Sequence, residues 1–245
     1  MKELLQNVMD NALFVLEFLL IIGALFMVAV LVERLAAMKA ARKEKLFTTR
    51  KVAMIGMFSA ISMILMLFEV PLPFAPPFYK LDLSELPVLI GGFAFGPAAA
   101  VMIEFAKILL KLFVKGTSTA FVGELANFAV GCSFVLPASI VYLFWKKKKG
   151  AITGCITGTL VLALFGSMFN AVYLLPAFSK LYGMPLDTIL GMGSAVNPLM
   201  TEGSMISFVV CCVVPINLIK GTVVSLLTML IYKPLSPILK SSYQK

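Results

Sequence analysis

Residues 84–113 read SELPVLIGGFAFGPAAAVMIEFAKILLKLF. As one straight helix this run would be about 45 Å long at 1.5 Å per residue. A lipid hydrocarbon core is only about 30 Å thick and is crossed by about 20 residues. Gly91-Gly92 and Gly96-Pro97 interrupt the run, and Gly and Pro are the strongest local breakers of regular structure. The stretch therefore predicts two short helices, roughly 84–95 and 97–114, turning at Gly96-Pro97. Composition names the solvent around them. Of the 245 residues, 60% are hydrophobic and 13% charged, against about 25% charged for a soluble domain. A water-soluble fold of this size could not hide so much apolar surface, whereas lipid can receive it.

Outward from the hairpin, further apolar runs fit one span each: 12–32, 52–70, 119–145, 151–175 and 205–231. The run at 12–32 lacks a small-residue cleavage site before a mature domain and reads as a retained transmembrane helix. Prolines at 71, 73, 76 and 77 mark residues 71–83 as a loop with a restricted backbone. The stretch 176–203, with Tyr182-Gly183-Met184-Pro185 and Asn197-Pro198, reads as a second, long loop. The sum is an all-α integral membrane protein of one N-terminal helix plus six. It divides into 1–49 (the extra helix and a basic connector), 50–235 (a six-helix membrane domain) and 236–245 (a tail).

Charge orients the chain. The connector 34–51 holds seven basic residues, the run Lys146–Lys149 four, and the tail three (Lys233, Lys240, Lys245), of 21 in all. Alternating spans put these regions on one side, which the positive-inside rule makes cytoplasmic. The C-terminus is then cytoplasmic, the N-terminus outside, and both proline-rich loops face outward. A net charge of +9 is accounted for by these loops without invoking nucleic acid.

Several chemistries are excluded. With no histidine, His-ligated haem, Ser-His-Asp triads and His-rich zinc sites are ruled out. The four cysteines (132, 155, 211, 212) have no CxxC spacing and read as buried, inert thiols rather than metal ligands. There is no GxxxxGK[ST] and no strand-to-helix GxGxxG, so ATP hydrolysis is not expected of this chain. No nucleophile with its base and no catalytic carboxylate pair stands out. Binding, not catalysis, is the expectation, with no resident cofactor.

Polar residues inside spans are the candidates for function. Glu104 and Lys107 sit three apart, close enough to pair on one face, and Lys111 and Lys115 extend the row toward an interface where they could snorkel. Glu124 and Asn127 start the next helix, as headgroup-layer and helix-packing residues or as site residues. Asn170 lies near the end of its span. Asn217 and Lys220, again three apart, have no carboxylate close in sequence; Glu202 is one partner open to them, and a polar ligand or water is the other. On residues 52–70, Gly56-xxx-Ala60 allows close helix approach, for internal packing or for a partner. Gly154-xxx-Gly158 repeats the spacing.

Three separated motifs carry a resemblance: Pro71-Leu-Pro-Phe-Ala-Pro-Pro-Phe with Leu81-Asp-Leu-Ser-Glu-Leu-Pro-Val-Leu-Ile-Gly-Gly-Phe-Ala-Phe-Gly-Pro, then Gly123-Glu-Leu-Ala-Asn-Phe, then Pro215-Ile-Asn-Leu-Ile-Lys-Gly. Over about 50–235 the chain resembles the riboflavin-specific S components of energy-coupling factor (ECF) transporters in bacterial cell membranes. The resemblance implies a six-helix subunit that captures riboflavin from outside and docks on a transmembrane coupling subunit with two ATPases. It implies that Asn217, Lys220 and Asn170 bind the vitamin, that the loop 71–83 caps it with Phe74, Phe78 and Tyr79, and that Ala53, Gly56 and Ala60 meet the coupling subunit. Asp82, Ser84 and Glu85 belong to the motif, as ligand contacts or as loop architecture. The helix at 12–32 is additional to the six. An S component for another vitamin and a stand-alone secondary transporter are the alternatives; the second would normally show an internal repeat and membrane carboxylates for ion coupling.

Overall fold

The computed structural model describes residues 12–39, 48–117 and 119–240. Connector residues 40–47 and tail residues 241–245 lie outside the described residues. Each predicted span is mostly helical, and the helices are α1 (Ala12–Lys39), α2 (Thr49–Leu67), α3 (Glu85–Phe95), α4 (Pro97–Lys115), α5 (Val122–Phe144), α6 (Lys148–Phe169), α7 (Leu175–Tyr182), α8 (Leu186–Ser194), α9 (Met205–Phe208) and α10 (Val214–Lys240). One π-helical turn, Asn170–Leu174, joins α6 to α7, and another, Val209–Val213, joins α9 to α10. Among the described residues, five continuous helices are long and apolar enough to cross a membrane.

The quoted run folds as a helical hairpin. Gly96 adopts φ +97° between α3 and α4, a conformation that glycine takes without a Cβ clash. Pro97 then opens α4 at a position whose N–H has no intrahelical acceptor to lose. The loop 71–83 is tied at its base by a minimal antiparallel pairing of β1 (Val70–Pro71) with β2 (Lys80–Leu81).

The expected loop at 176–203 is largely helical instead. Pro176 is near the start of α7, where a proline is tolerated, and Gly183 ends that helix at φ +61°. Residues 186–194 then form α8 despite two glycines. Their support is tertiary: Ile189, Leu190, Met200, Phe208 and Cys212 pack with Ala75 of the loop 71–83 into one apolar cluster. This cluster is a cap over one end of the bundle.

Helix α1 packs against α4 and α5. Phe18 meets Phe128 edge-on at 5.8 Å between ring centroids, and Ala29 is fully buried. At the other end, Glu33 Oε1 accepts a hydrogen bond from Ala98 N at 2.8 Å, and Glu33 Oε2 pairs with Lys51 Nζ at 3.5 Å. A carboxylate there answers the unpaired amides and positive dipole end of α4. The missing side chain of Gly96 leaves the space it occupies.

Equal spacings of small residues have unequal fates. Gly154 and Gly158 of α6 press on the backbone of α5 at the Ala138 and Phe134 carbonyls, so a Cβ at either would collide. A Cβ on Gly56 of α2 would meet nothing within 4 Å among the described residues. Ala53 and Gly56 are exposed and Ala60 half-buried, forming an open stripe that α1 does not cover.

Candidate solute-binding site

Where the cap meets the bundle, two of the sequence-selected groups, Asn170 and Asn217, meet at Gly166, and a third, Lys220, follows Asn217 one turn later on the same helix. Asn170 opens the first π turn, and its Nδ2 donates to Gly166 O at 2.7 Å. Its Oδ1 accepts from the Tyr79 hydroxyl at 2.6 Å, tying the loop to the bundle. Asn217, on α10, lies against the same Gly166, where a Cβ would collide with its amide. The Asn217 Nδ2 is buried and has no hydrogen-bond partner among the described residues. The two π turns also touch each other; such turns recur at functional sites because they redirect side chains within a helix.

The third group, Lys220, is held by acidic residues at the start of α3, which packs directly on α10, and in the segment before it. Its Nζ is 2.9 Å from Glu85 Oε1 and 3.4 Å from Asp82 Oδ2. Glu202, named from sequence as a partner, is instead exposed; the carboxylates of Lys220 come from the start of α3 and the residues before it. Asp82 also accepts from Ser84 N at 2.8 Å. Burial pushes the Asp82 carboxyl up, but the Lys220 and Lys107 ammonium groups and bonding to Ser84 outweigh it and hold it below its usual value. Asp82, Ser84 and Glu85 thus have an architectural role whatever else they do.

Glu104 and Lys107 do form the pair their spacing predicts, fully buried. Lys107 reaches further, to Ser84 Oγ at 3.0 Å and Glu85 Oε1 at 3.5 Å. Lys111 does not snorkel away: it pairs with Glu124, which also accepts from Thr117 at 3.0 Å and Thr119 at 3.1 Å. Glu124 is 1% exposed, so it is a buried anchor and not a headgroup-layer residue. Asn127 keeps its Oδ1 buried and without a hydrogen-bond partner among the described residues.

The aromatic residues divide. Phe74 and Tyr79 pack into the cap, with the Tyr79 ring 6.0 Å from Phe208. Phe78 is 38% exposed at its edge, 4.9 Å from Tyr79 and 6.4 Å from Phe178. Burial, and next the neighbouring Cys212, push the Tyr79 phenol well above its usual range, so it remains a neutral donor. Asn197 went unrecognised in the sequence except as a turn signal. It is buried, and its Nδ2 donates to Cys211 O at 3.1 Å and Phe74 O at 3.4 Å, stapling the loop to the second π turn. Three cysteines are buried and Cys211 is half-buried; all four are free thiols.

An all-helical membrane bundle with two amides and an ammonium gathered beneath an apolar cap has the form of a solute-binding membrane subunit. Comparison with known proteins agrees. The family model described as the substrate-specific component of ECF transporters matches residues 50–232. The riboflavin transporter RibU of Staphylococcus aureus (strain TCH60) is 36% identical over 204 residues, covering 83% of this chain and 99% of that protein. The riboflavin transporter FmnP of Bacillus subtilis (strain 168) is 29% identical over 189 residues, covering 77% and 93%. A solved S component of a bacterial ECF transporter superposes with a TM-score of 0.61 at 32% identity, over 78% of this chain and 98% of that one. The chain belongs to the family of ECF transporter substrate-specific components. It is accordingly a multi-pass membrane protein and a transport subunit, and helix α1 precedes the matched region.

Proposed function

We propose that this chain captures riboflavin outside the bacterial cell and delivers it through an ATP-driven coupling module. The observation that carries the reading is the buried Asn217 amide nitrogen, without a partner among the described residues and sharing Gly166 with Asn170. A buried donor left unsatisfied is unfavourable and is explained by a ligand that supplies the acceptor. Riboflavin has a flat tricyclic ring with carbonyl oxygens and a ribityl chain with several hydroxyls. Asn offers both donor and acceptor and Lys offers donors, while Phe74, Phe78 and Tyr79 give the ring aromatic surface. Relatives named riboflavin transporters at 36% and 29% identity support the choice of vitamin.

In this reading the cap faces outward, the C-terminus is cytoplasmic and the N-terminus outside, in keeping with the basic residues of the connector, Lys146–Lys149 and the tail. The open stripe Ala53, Gly56 and Ala60 receives the transmembrane coupling subunit, which carries two ATPase subunits. The test is purification from riboflavin-supplemented cells with mass spectrometry of the copurifying ligand, followed by titration of the stripped protein. Riboflavin bound at one per chain is the expected result. A different vitamin copurifying, with no riboflavin binding on titration, would overturn it.

A further inference from the structure

We infer that Lys107, held by Glu104, is a positioning residue for ligand capture: it takes over Glu85 when Lys220 turns from that carboxylate to the ligand. The inference rests on the reading of Lys220 as a ligand contact.

The geometry is that of an ion-pair exchange arrested at its first stage. Glu85 Oε1 is shared by two ammonium groups, Lys220 at 2.9 Å and Lys107 at 3.5 Å. Glu85 Oε2 is buried and has no hydrogen-bond partner among the described residues. The lysines differ in access. The Lys107 side chain is completely buried, whereas Lys220 is 14% exposed, so Lys220 is the one able to turn toward an incoming solute. If it did so alone, Glu85 would keep only the long 3.5 Å contact to Lys107, leaving a poorly compensated buried charge, which is unfavourable.

Lys107 removes that penalty. Closing its 3.5 Å separation from Glu85 to the about 2.8 Å of a charge-assisted hydrogen bond needs a shift of under about 1 Å. Its position for that shift is fixed from two sides, by the Glu104 carboxylate on its own helix and by Ser84 Oγ at 3.0 Å. Ser84 is itself pinned, its carbonyl accepting from Ser62 Oγ at 2.8 Å and its amide donating to Asp82 at 2.8 Å. Glu104 lies in space that Gly131 leaves open on α5. Three carboxylates (Asp82, Glu85, Glu104) and two ammonium groups thus form one buried network. A neutral ligand changes the partners within it and leaves its total charge as before.

The test measures riboflavin affinity and thermal stability together, in detergent, for the full chain. Lys107→Met/Glu104→Gln removes a charge pair at once and leaves no orphan ion. The expected result is a folded protein that binds riboflavin at least about tenfold more weakly, although neither residue touches the vitamin. In a Glu85→Gln background the same double substitution has no further effect on affinity, because the carboxylate that Lys107 takes over is already gone; this non-additivity is the signature of coupled residues. A folded double variant with wild-type affinity overturns the inference, as does an equal loss in both backgrounds. Should the double variant fail to fold, Glu85→Gln alone carries the test: riboflavin associates faster than with the wild type, and an equal or slower rate overturns it. Wild-type protein that binds no riboflavin refutes the proposed function itself, a result distinct from all of these.

Discussion

Asn217→Ala should stabilise the ligand-free protein and weaken riboflavin binding, two effects of opposite sign from one atom. The Asn217 Nδ2 is buried without a partner among the described residues, and an unsatisfied buried donor costs about 1–3 kcal/mol. Truncation to Ala removes that donor and vacates a few tens of Å³, which at about 24 cal/mol per Å³ costs roughly 0.5–1 kcal/mol. The balance is a gain of about 1 kcal/mol, or about 2–4 °C in Tm for a chain of this size. In the complex the same substitution deletes a hydrogen bond and strands a ligand oxygen, about 1.5–3 kcal/mol, or roughly 10- to 150-fold in Kd. Differential scanning fluorimetry of the stripped protein and fluorescence titration with riboflavin measure the two numbers. A ligand-free Tm that falls by several degrees would show that the amide has a structural partner, and an unchanged Kd would show that it does not face the ligand; either refutes the reasoning.

Three further outcomes follow from particular contacts. Glu33→Ala removes the charged cap on Ala98 N and the ion pair to Lys51; unfolding experiments should find a loss of about 1–2 kcal/mol with riboflavin affinity unchanged, because these contacts lie at the far end of α3 from Glu85. Gly56→Leu points into open space, so stability should stay within about 0.5 kcal/mol of wild type while copurification with the coupling subunit is lost. The Asp82 carboxyl is held below its usual value in the folded protein, against about 3.9 when unfolded. Its stabilising contribution is therefore complete above about pH 4–5 and disappears as pH falls through the lower folded value. Asp82→Asn should accordingly be less stable than wild type at pH 7, and the gap in Tm should narrow toward pH 3.

The parts of the fold legible in the sequence were those fixed by local rules. Span length, the Gly96-Pro97 break and the Glu104–Lys107 spacing each need only neighbouring residues, and each reappears in the structure. The misreading at 176–203 has a physical cause. Proline and glycine there fall near the start of α7 and at its end, where they delimit a helix rather than abolish it, and α8 draws its stability from packing on the loop 71–83. For Asn197, burial was the missing signal: an Asn before Pro reads as a turn until Phe74 and Cys211 are seen on either side.

By itself the sequence determined the solvent, the apolar spans, the hairpin and the presence of two amides and a lysine in otherwise apolar spans, because hydrophobicity, period and breakers act within a few residues. Tertiary structure alone decided who meets whom. Lys220 takes Glu85 from 135 residues away, Tyr79 takes Asn170 from 91 residues away, and one small-residue spacing is buried while its twin stays open. A buried charge must find a counter-charge, which composition announces. The identity of that partner depends on which helix faces cross at the same depth, and no local rule contains that.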